Sequence, residues 1–126
     1  NNTIFIASKI YEILYIMENE NIVIPDKFKK ILPAINEIEK YYYKNEKISY
    51  YSNMCYMSEQ NFRRLFKEYT GKSFIEYRNI LRISRAKKLI DSGEYTVHES
   101  AQLVGFNNMS FFYKVYNNCI KIKNEW

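Results

Sequence analysis

The chain has 126 residues, 47% of them apolar or aromatic, a formal net charge of +5 and a pI near 9.1. That length fits one ordinary domain or two small lobes, and that apolar fraction supplies a core, which excludes disorder. Three Gly and two Pro give too little punctuation for a many-stranded sheet, so an all-α fold is expected.

Residues 3–18 set Ile6, Ile10, Ile13 and Met17 at a 4-3-4 spacing, widened by Ile4, Tyr11 and Leu14, which predicts an amphipathic N-terminal helix. Its apolar face needs a partner, either elsewhere on this chain or in a preceding domain. Residues 19–30 are polar with one Pro and are expected as a linker, so the domain division is drawn at 1–30 and 31–126. Pro33 suits a first helical turn, where its missing amide hydrogen costs nothing, and Ile35, Ile38, Tyr41 and Tyr42 predict a helix running to about Asn45. Residues 48–55 predict a short helix with Ile48, Tyr51, Ser52 and Cys55 inward, followed by a turn at Tyr56-Met57.

Ser58 is an expected N-cap, and Phe62, Leu65, Phe66 and Tyr69 then recur at helical spacing. The opposite arc carries Gln60, Arg63, Arg64 and Lys67, donors suited to base edges and phosphate oxygens. Gly71 is expected to end this helix in the left-handed conformation, and Ser73 to cap a connecting helix that reaches about Asp91 before Gly93. Phe74, Tyr77, Leu81, Ala86, Leu89 and Ile90 form its inner stripe. Arg78, Arg82, Arg85, Lys87 and Lys88 form its polar remainder. Residues 58–90 hold nine Lys and Arg against three acids, while the segments on either side are close to balanced. A surplus confined to one stretch is the footprint expected for a polyanionic partner.

The plan then repeats. Residues 97–104 return the short helix with Ala101 in the place of Ser52, 49 positions on; Gly105-Phe106-Asn107 is the turn and Asn108 the cap. Phe112, Val115 and Tyr116 take the places of Phe62, Leu65 and Phe66, 50 positions on. Ser110, Tyr113 and Lys114 correspond to Gln60, Arg63 and Arg64, which predicts weaker base readout in the second copy. Short helix, tight turn and capped helix together make a helix-turn-helix, whose second helix enters a major groove. Two such helices about one duplex turn apart, roughly 34 Å, would enter successive groove segments.

Ser58 with Phe62-Arg63-Arg64-Leu65-Phe66-Lys67, then Thr70-Gly71-Lys72-Ser73-Phe74, Glu76-Tyr77, Leu81-Arg82-Ile83 with Ala86 and Leu89-Ile90, then Ala101, Val104-Gly105-Phe106 and Ser110-Phe111-Phe112 are similar to the DNA-binding domain of the AraC/XylS family of bacterial transcription regulators. The similarity runs from about Ala34 to Tyr116. It implies seven helices in two helix-turn-helix lobes (31–72 and 93–126) joined by a central helix (73–92). It also implies promoter binding, and usually activation through RNA polymerase or its σ subunit. Residues 3–18 would then close an effector-sensing domain through which the protein forms a homodimer. By motif position, Gln60, Arg63 and Arg64 are the base readers of the first lobe, and Met109, Ser110, Tyr113 and Lys114 those of the second. Phosphate contacts are expected from Asn61, Lys67, Lys72, Arg82 and Asn108. Asn117-Asn118-Cys119-Ile120-Lys121 departs from the family pattern in lacking its usual Lys and Gly, with no Pro after it.

No enzyme is expected. One histidine, His98, no Gly-rich phosphate loop and no paired metal-ligand spacing leave nothing to carry general acid-base, covalent or cofactor chemistry. Cys55 and Cys119 sit in apolar helical runs, as reduced core thiols do. No run reaches the ~18 apolar residues of a membrane span, so no membrane partner and a cytoplasmic location are expected. The alternative to DNA binding is a helical protein-interaction module whose basic face is merely solvated.

Overall fold

The computed structural model describes residues 6–13 and 23–124, with side chains described as far as Cys119. Among the described residues it is all helical. Helix α1 covers residues 6–13, and the remainder of the N-terminal stripe (Ile4, Leu14, Met17) and the first part of the expected linker, residues 19–22, lie outside the described residues. There follow α2 (Asp26–Lys29), α3 (Leu32–Lys40), α4 (Ile48–Met54), α5 (Glu59–Thr70), α6 (Phe74–Asp91), α7 (Val97–Leu103) and α8 (Met109–Asn124).

The helix ends follow from local chemistry. The Ser58 and Ser73 hydroxyls accept from the amides of Asn61 and Glu76, each at 3.2 Å, so both caps stand where the sequence places them. Gly71 follows α5 at φ 78, and its amide donates to Lys67 O. Thr96 and Glu99 form a reciprocal capping box at the start of α7, a pairing the sequence reading passed over. The Asn108 side chain accepts from the Phe111 amide at 3.0 Å, which caps α8.

Two cores result. Ile31, Ala34, Ile35, Ile38, Tyr51, Cys55, Phe62, Leu65, Phe66 and Phe74 fill the first lobe. Ile83, Ala86, Ala101, Val104, Phe106 and Phe112 fill the second. The central helix α6 serves both, giving Phe74, Tyr77 and Leu81 to the first and Ile83, Ala86, Leu89 and Ile90 to the second. It thereby acts as the first helix of the second lobe: Ile31, Ala34 and Ile38 of the α3 region return, 52 positions on, as Ile83, Ala86 and Ile90. Ser52 and Ala101 are both buried, as small residues at a close helix crossing should be.

The two turns match bond for bond. Met57 N donates to Ser52 O and Phe106 N to Ala101 O, each at 3.0 Å, and the residue before each donor has positive φ: Tyr56 at 57° and Gly105 at 107°. Tyrosine is strained there, and Tyr56 is 97% exposed, so its ring returns nothing in packing. Replacing Tyr56 with Gly is expected to raise stability by about 0.5 to 1 kcal/mol, seen as a higher urea midpoint with unchanged slope.

Three expectations are corrected. The last part of the expected linker is helical: α2 lays Phe28 on the first core, its ring 5.0 Å from Tyr69. Tyr69, expected inside the core stripe, is accordingly on the surface beneath Phe28. Helix α3 stops at Lys40 instead of reaching Asn45, and residues 41–47 form a turn held by arginines of α6. Helix α8 runs unbroken through Asn117 and Asn118, since no Gly or Pro interrupts it there, so the described second lobe has α7 and α8 with α6 as its third helix. Cys55 is buried, Cys119 half-buried, and neither is in a disulfide; burial pushes the Cys55 thiol pKa up.

Candidate nucleic-acid interface

Helix α5 buries Phe62, Leu65 and Phe66, which leaves a polar arc that divides into two rows. Glu59, Arg63 and Lys67 form one, four residues apart, alongside a groove floored by Ile48 and Phe74. Gln60, Asn61 and Arg64 form the other with Ser58. Gln60, Arg63, Arg64 and Lys67 are all exposed. Arg63 lies 3.7 Å from Glu59, and Arg64 lies 3.3 Å from Glu68 while donating to Asn61 Oδ1 at 2.6 Å. Ion pairs this exposed contribute little, so the guanidinium groups can exchange these partners for a ligand's acceptors at small cost. Asn61 is half-buried and holds Arg64, and Lys72 is exposed just past Gly71.

Helix α8 presents the second set. Phe112 is buried and packs 5.2 Å from the Phe106 ring, which leaves Ser110, Tyr113 and Lys114 exposed on the outer side. Met109 is half-buried against the second core, and Asn108 uses its carbonyl oxygen for the cap. Phe111 remains exposed, 6.1 Å from the Phe106 ring. Ser110, Tyr113 and Lys114 stand 50 positions after Gln60, Arg63 and Arg64 and are exposed as those are, whereas Met109 is given over to packing.

Arg82 is the exception among the expected phosphate contacts. It is 4% exposed, and its guanidinium donates to Tyr42 O at 2.6 Å, Lys44 O at 2.8 Å and Gly105 O at 3.3 Å. Those three carbonyls belong to the turn after α3 and to the turn before α8, so this cation clasps one lobe to the other and is turned away from any phosphate. Burial, with the like charge of Arg78 nearby, lowers its pKa to about 10, and it stays protonated at neutral pH. Its neighbours on the same side of α6 act similarly. Arg78 donates to Glu46 O at 2.9 Å and covers the Phe74 ring, while the Arg85 guanidinium lies 5.7 Å from the Tyr42 ring. Part of the basic surplus of residues 58–90 is therefore structural. Tyr77 adds a further pin, its hydroxyl donating to Glu39 Oε1 at 2.7 Å; burial, and then this bond to a carboxylate, push its pKa up.

The seam formed by Arg82, Gly105 and residues 41–47 is the feature that sequence reasoning missed. A Cβ on Gly105 would stand 2.6 Å from Tyr43 O and 3.0 Å from Arg82 Cζ, so only glycine permits this approach. The available signal was a cation between Leu81 and Ile83, on a helix whose flanking residues enter two cores. Among the described residues no three or more His, Cys, Asp or Glu are grouped to hold a metal ion, and no helix is long and apolar enough to cross a membrane.

Comparison with known proteins agrees with this architecture. Residues 51–122 match a helix-turn-helix domain family of the AraC/XylS type. The chain is 25% identical over 93 residues to Regulatory protein PocR of Salmonella typhimurium, covering 74% of this chain and 31% of that protein. It is 31% identical over 78 residues to an uncharacterized response regulatory protein of Staphylococcus epidermidis, covering 62% of this chain and 31% of that one. The chain thus spans about a third of the length of these relatives. In fold it is similar to the DNA-binding domain of the global transcriptional factor AdpA, solved in complex with a target DNA, with a TM-score of 0.64 at 19% identity over 74% of this chain and 81% of that one. Two helix-turn-helix copies on one central helix, matched over more than half of its length, place this chain in the AraC/XylS-type helix-turn-helix family of DNA-binding transcription regulators.

Proposed function

We propose that the chain binds promoter DNA sequence-specifically, with α5 and α8 entering successive major-groove segments and α5 doing most of the discriminating. The observation that carries this is the exposure, at equivalent places in the two copies, of Gln60, Arg63 and Arg64 on α5 and of Ser110, Tyr113 and Lys114 on α8. Arg forks onto guanine and Gln onto adenine, whereas serine and a single lysine read less, so the first lobe carries the sharper specificity. Lys67, Lys72, Asn61 and Asn108 supply phosphate contacts. Regulation is by activation in the cytoplasm through RNA polymerase or its σ subunit. The residues before α2 belong to the end of an effector-sensing domain that forms homodimers. The chain has no catalytic role.

Selection of preferred sites from random duplexes, followed by titration of the selected site, tests this. Arg64→Ala is expected to cost ~1 to 3 kcal/mol and to relax preference at one base position, while Lys67→Ala weakens all sequences about equally. Neutrality of both changes on a selected site would show that α5 does not face the bases.

A second reading rests on α1, where Ile6, Ile10, Tyr11 and Ile13 are exposed, as on a face that docks another protein. Salt separates the two. DNA affinity falls steeply as salt rises, because bound counterions are released, whereas an apolar docking face is little affected.

A further inference from the structure

We propose that residues 44–47 form a third DNA contact, in which Lys44 and Lys47 hold the sugar-phosphate backbone that runs between the two major-groove segments. The proposal rests on the DNA-binding reading above and adds to it a central contact that neither recognition helix supplies.

The position of the loop argues for it. At one end Lys47, the residue before α4, lines a groove of about 710 Å³ together with Arg63, Lys67 and Arg78. Two acids share that groove, Glu46 and Glu59, and Glu59 is already set against Arg63. At the other end the Asn45 amide donates to Gly105 O at 3.4 Å, and Gly105 opens the turn that feeds α8. The same few residues therefore adjoin the outer row of α5 and the entry to α8, which places them between the two reading faces.

The loop is also preformed. Its backbone is fastened to α6, since Lys44 O accepts from Arg82 at 2.8 Å and Glu46 O accepts from Arg78 at 2.9 Å. With the carbonyls engaged, the side chains of Lys44 and Lys47 are left exposed. Among the described residues neither makes an ion pair; the Lys44 ammonium only rests 4.4 Å from the Tyr41 ring, a contact worth little in water. Lysine is a compact point charge that suits phosphate oxygens. Two major-groove segments one turn apart are separated by a stretch of backbone that faces the middle of whatever spans them. A loop already ordered by two arginines loses little conformational freedom in meeting it.

The test compares the wild-type chain with Lys44→Ala/Lys47→Ala and with Lys88→Ala, which removes an exposed charge outside the groove and the loop. Each is titrated on a selected duplex and on unrelated DNA over a range of salt, with circular dichroism as a check on folding. The double variant is expected to lose about tenfold in affinity on both DNAs and to lower the slope of log K against log salt by about two, near 0.9 per lost contact. Lys88→Ala should leave both unchanged. Independently of any variant, replacing the central phosphates of the site by methylphosphonates should weaken the wild-type chain and abolish the difference between it and the double variant. If wild-type binding is specific but indifferent to the double change and to central methylphosphonates, the third contact is overturned while the two-helix reading stands. If the wild-type chain binds no duplex, both fail together.

Discussion

Arg82→Ala is expected to destabilise the protein by about 3 kcal/mol and to loosen one lobe from the other. The guanidinium satisfies three backbone carbonyls, those of Tyr42, Lys44 and Gly105, and alanine leaves them without this donor. A hydrogen bond from a charged donor contributes ~1.5 to 3 kcal/mol, and a buried acceptor left alone costs ~1 to 3 kcal/mol. Two effects reduce the sum. The substitution ends the desolvation cost of a buried cation that has only carbonyl oxygens for compensation. Water also reaches part of the turn, since Tyr43 and Lys44 are exposed. Arg82→Lys should recover only part of the loss, because an ammonium cannot span three carbonyls that a planar fork meets at once. Urea unfolding followed by tryptophan-independent circular dichroism measures this, and a shallower, two-step transition in the alanine variant would report that the lobes unfold separately. A loss below about 1 kcal/mol would mean that apolar packing along α6 holds the lobes and that the clasp is incidental.

Gly105→Ala is expected to cost about 2 to 4 kcal/mol at the same seam. Its φ of 107° is a conformation that side chains rarely adopt, and the added methyl would meet Tyr43 O at 2.6 Å. The obstacle is backbone, which cannot rotate aside as a flexible side chain would. Local strain of ~1 to 3 kcal/mol and a comparable overpacking cost combine in that estimate. Because the methyl also crowds the Arg82 guanidinium at 3.0 Å, the two substitutions act on one contact. The double variant Arg82→Ala/Gly105→Ala should therefore lose less than the sum of the singles, by 0.5 kcal/mol or more. Strict additivity would show that glycine is needed for the turn alone and has no part in joining the lobes.

These two residues show why the site is only partly legible in the sequence. Gln60, Arg63, Arg64 and Lys67 were placed on an exposed face by helical spacing alone, since Phe62, Leu65 and Phe66 claim the inward face of a helix whose cap and end are both written in its residue types. Arg82 stands eight residues after Phe74 and four before Ala86, on the apolar side of α6 by the same spacing, yet its charge puts it with the polar remainder and the resemblance puts it on phosphate. What spacing cannot say is which acceptors a cation on that side will meet, and the partners of Arg82 lie 40, 38 and 23 positions away. The α2 turn was missed for a similar reason. Four residues are too few to show a period, and Phe28 is ordered by the Tyr69 ring 41 positions on.

The residue order alone determined what depends on near neighbours: the all-helical class, the caps at Ser58, Ser73 and Asn108, the glycine end at Gly71, the two-copy plan and the exposed rows of α5 and α8. Each of these is decided by side chains within about one or two turns of helix, where torsional preference and amide satisfaction act directly. Tertiary structure alone decided which cations are available to a ligand and which bind the protein to itself. That distinction is set by which carbonyls the fold brings beside a guanidinium, and burial of a charge is tolerable only where such acceptors converge.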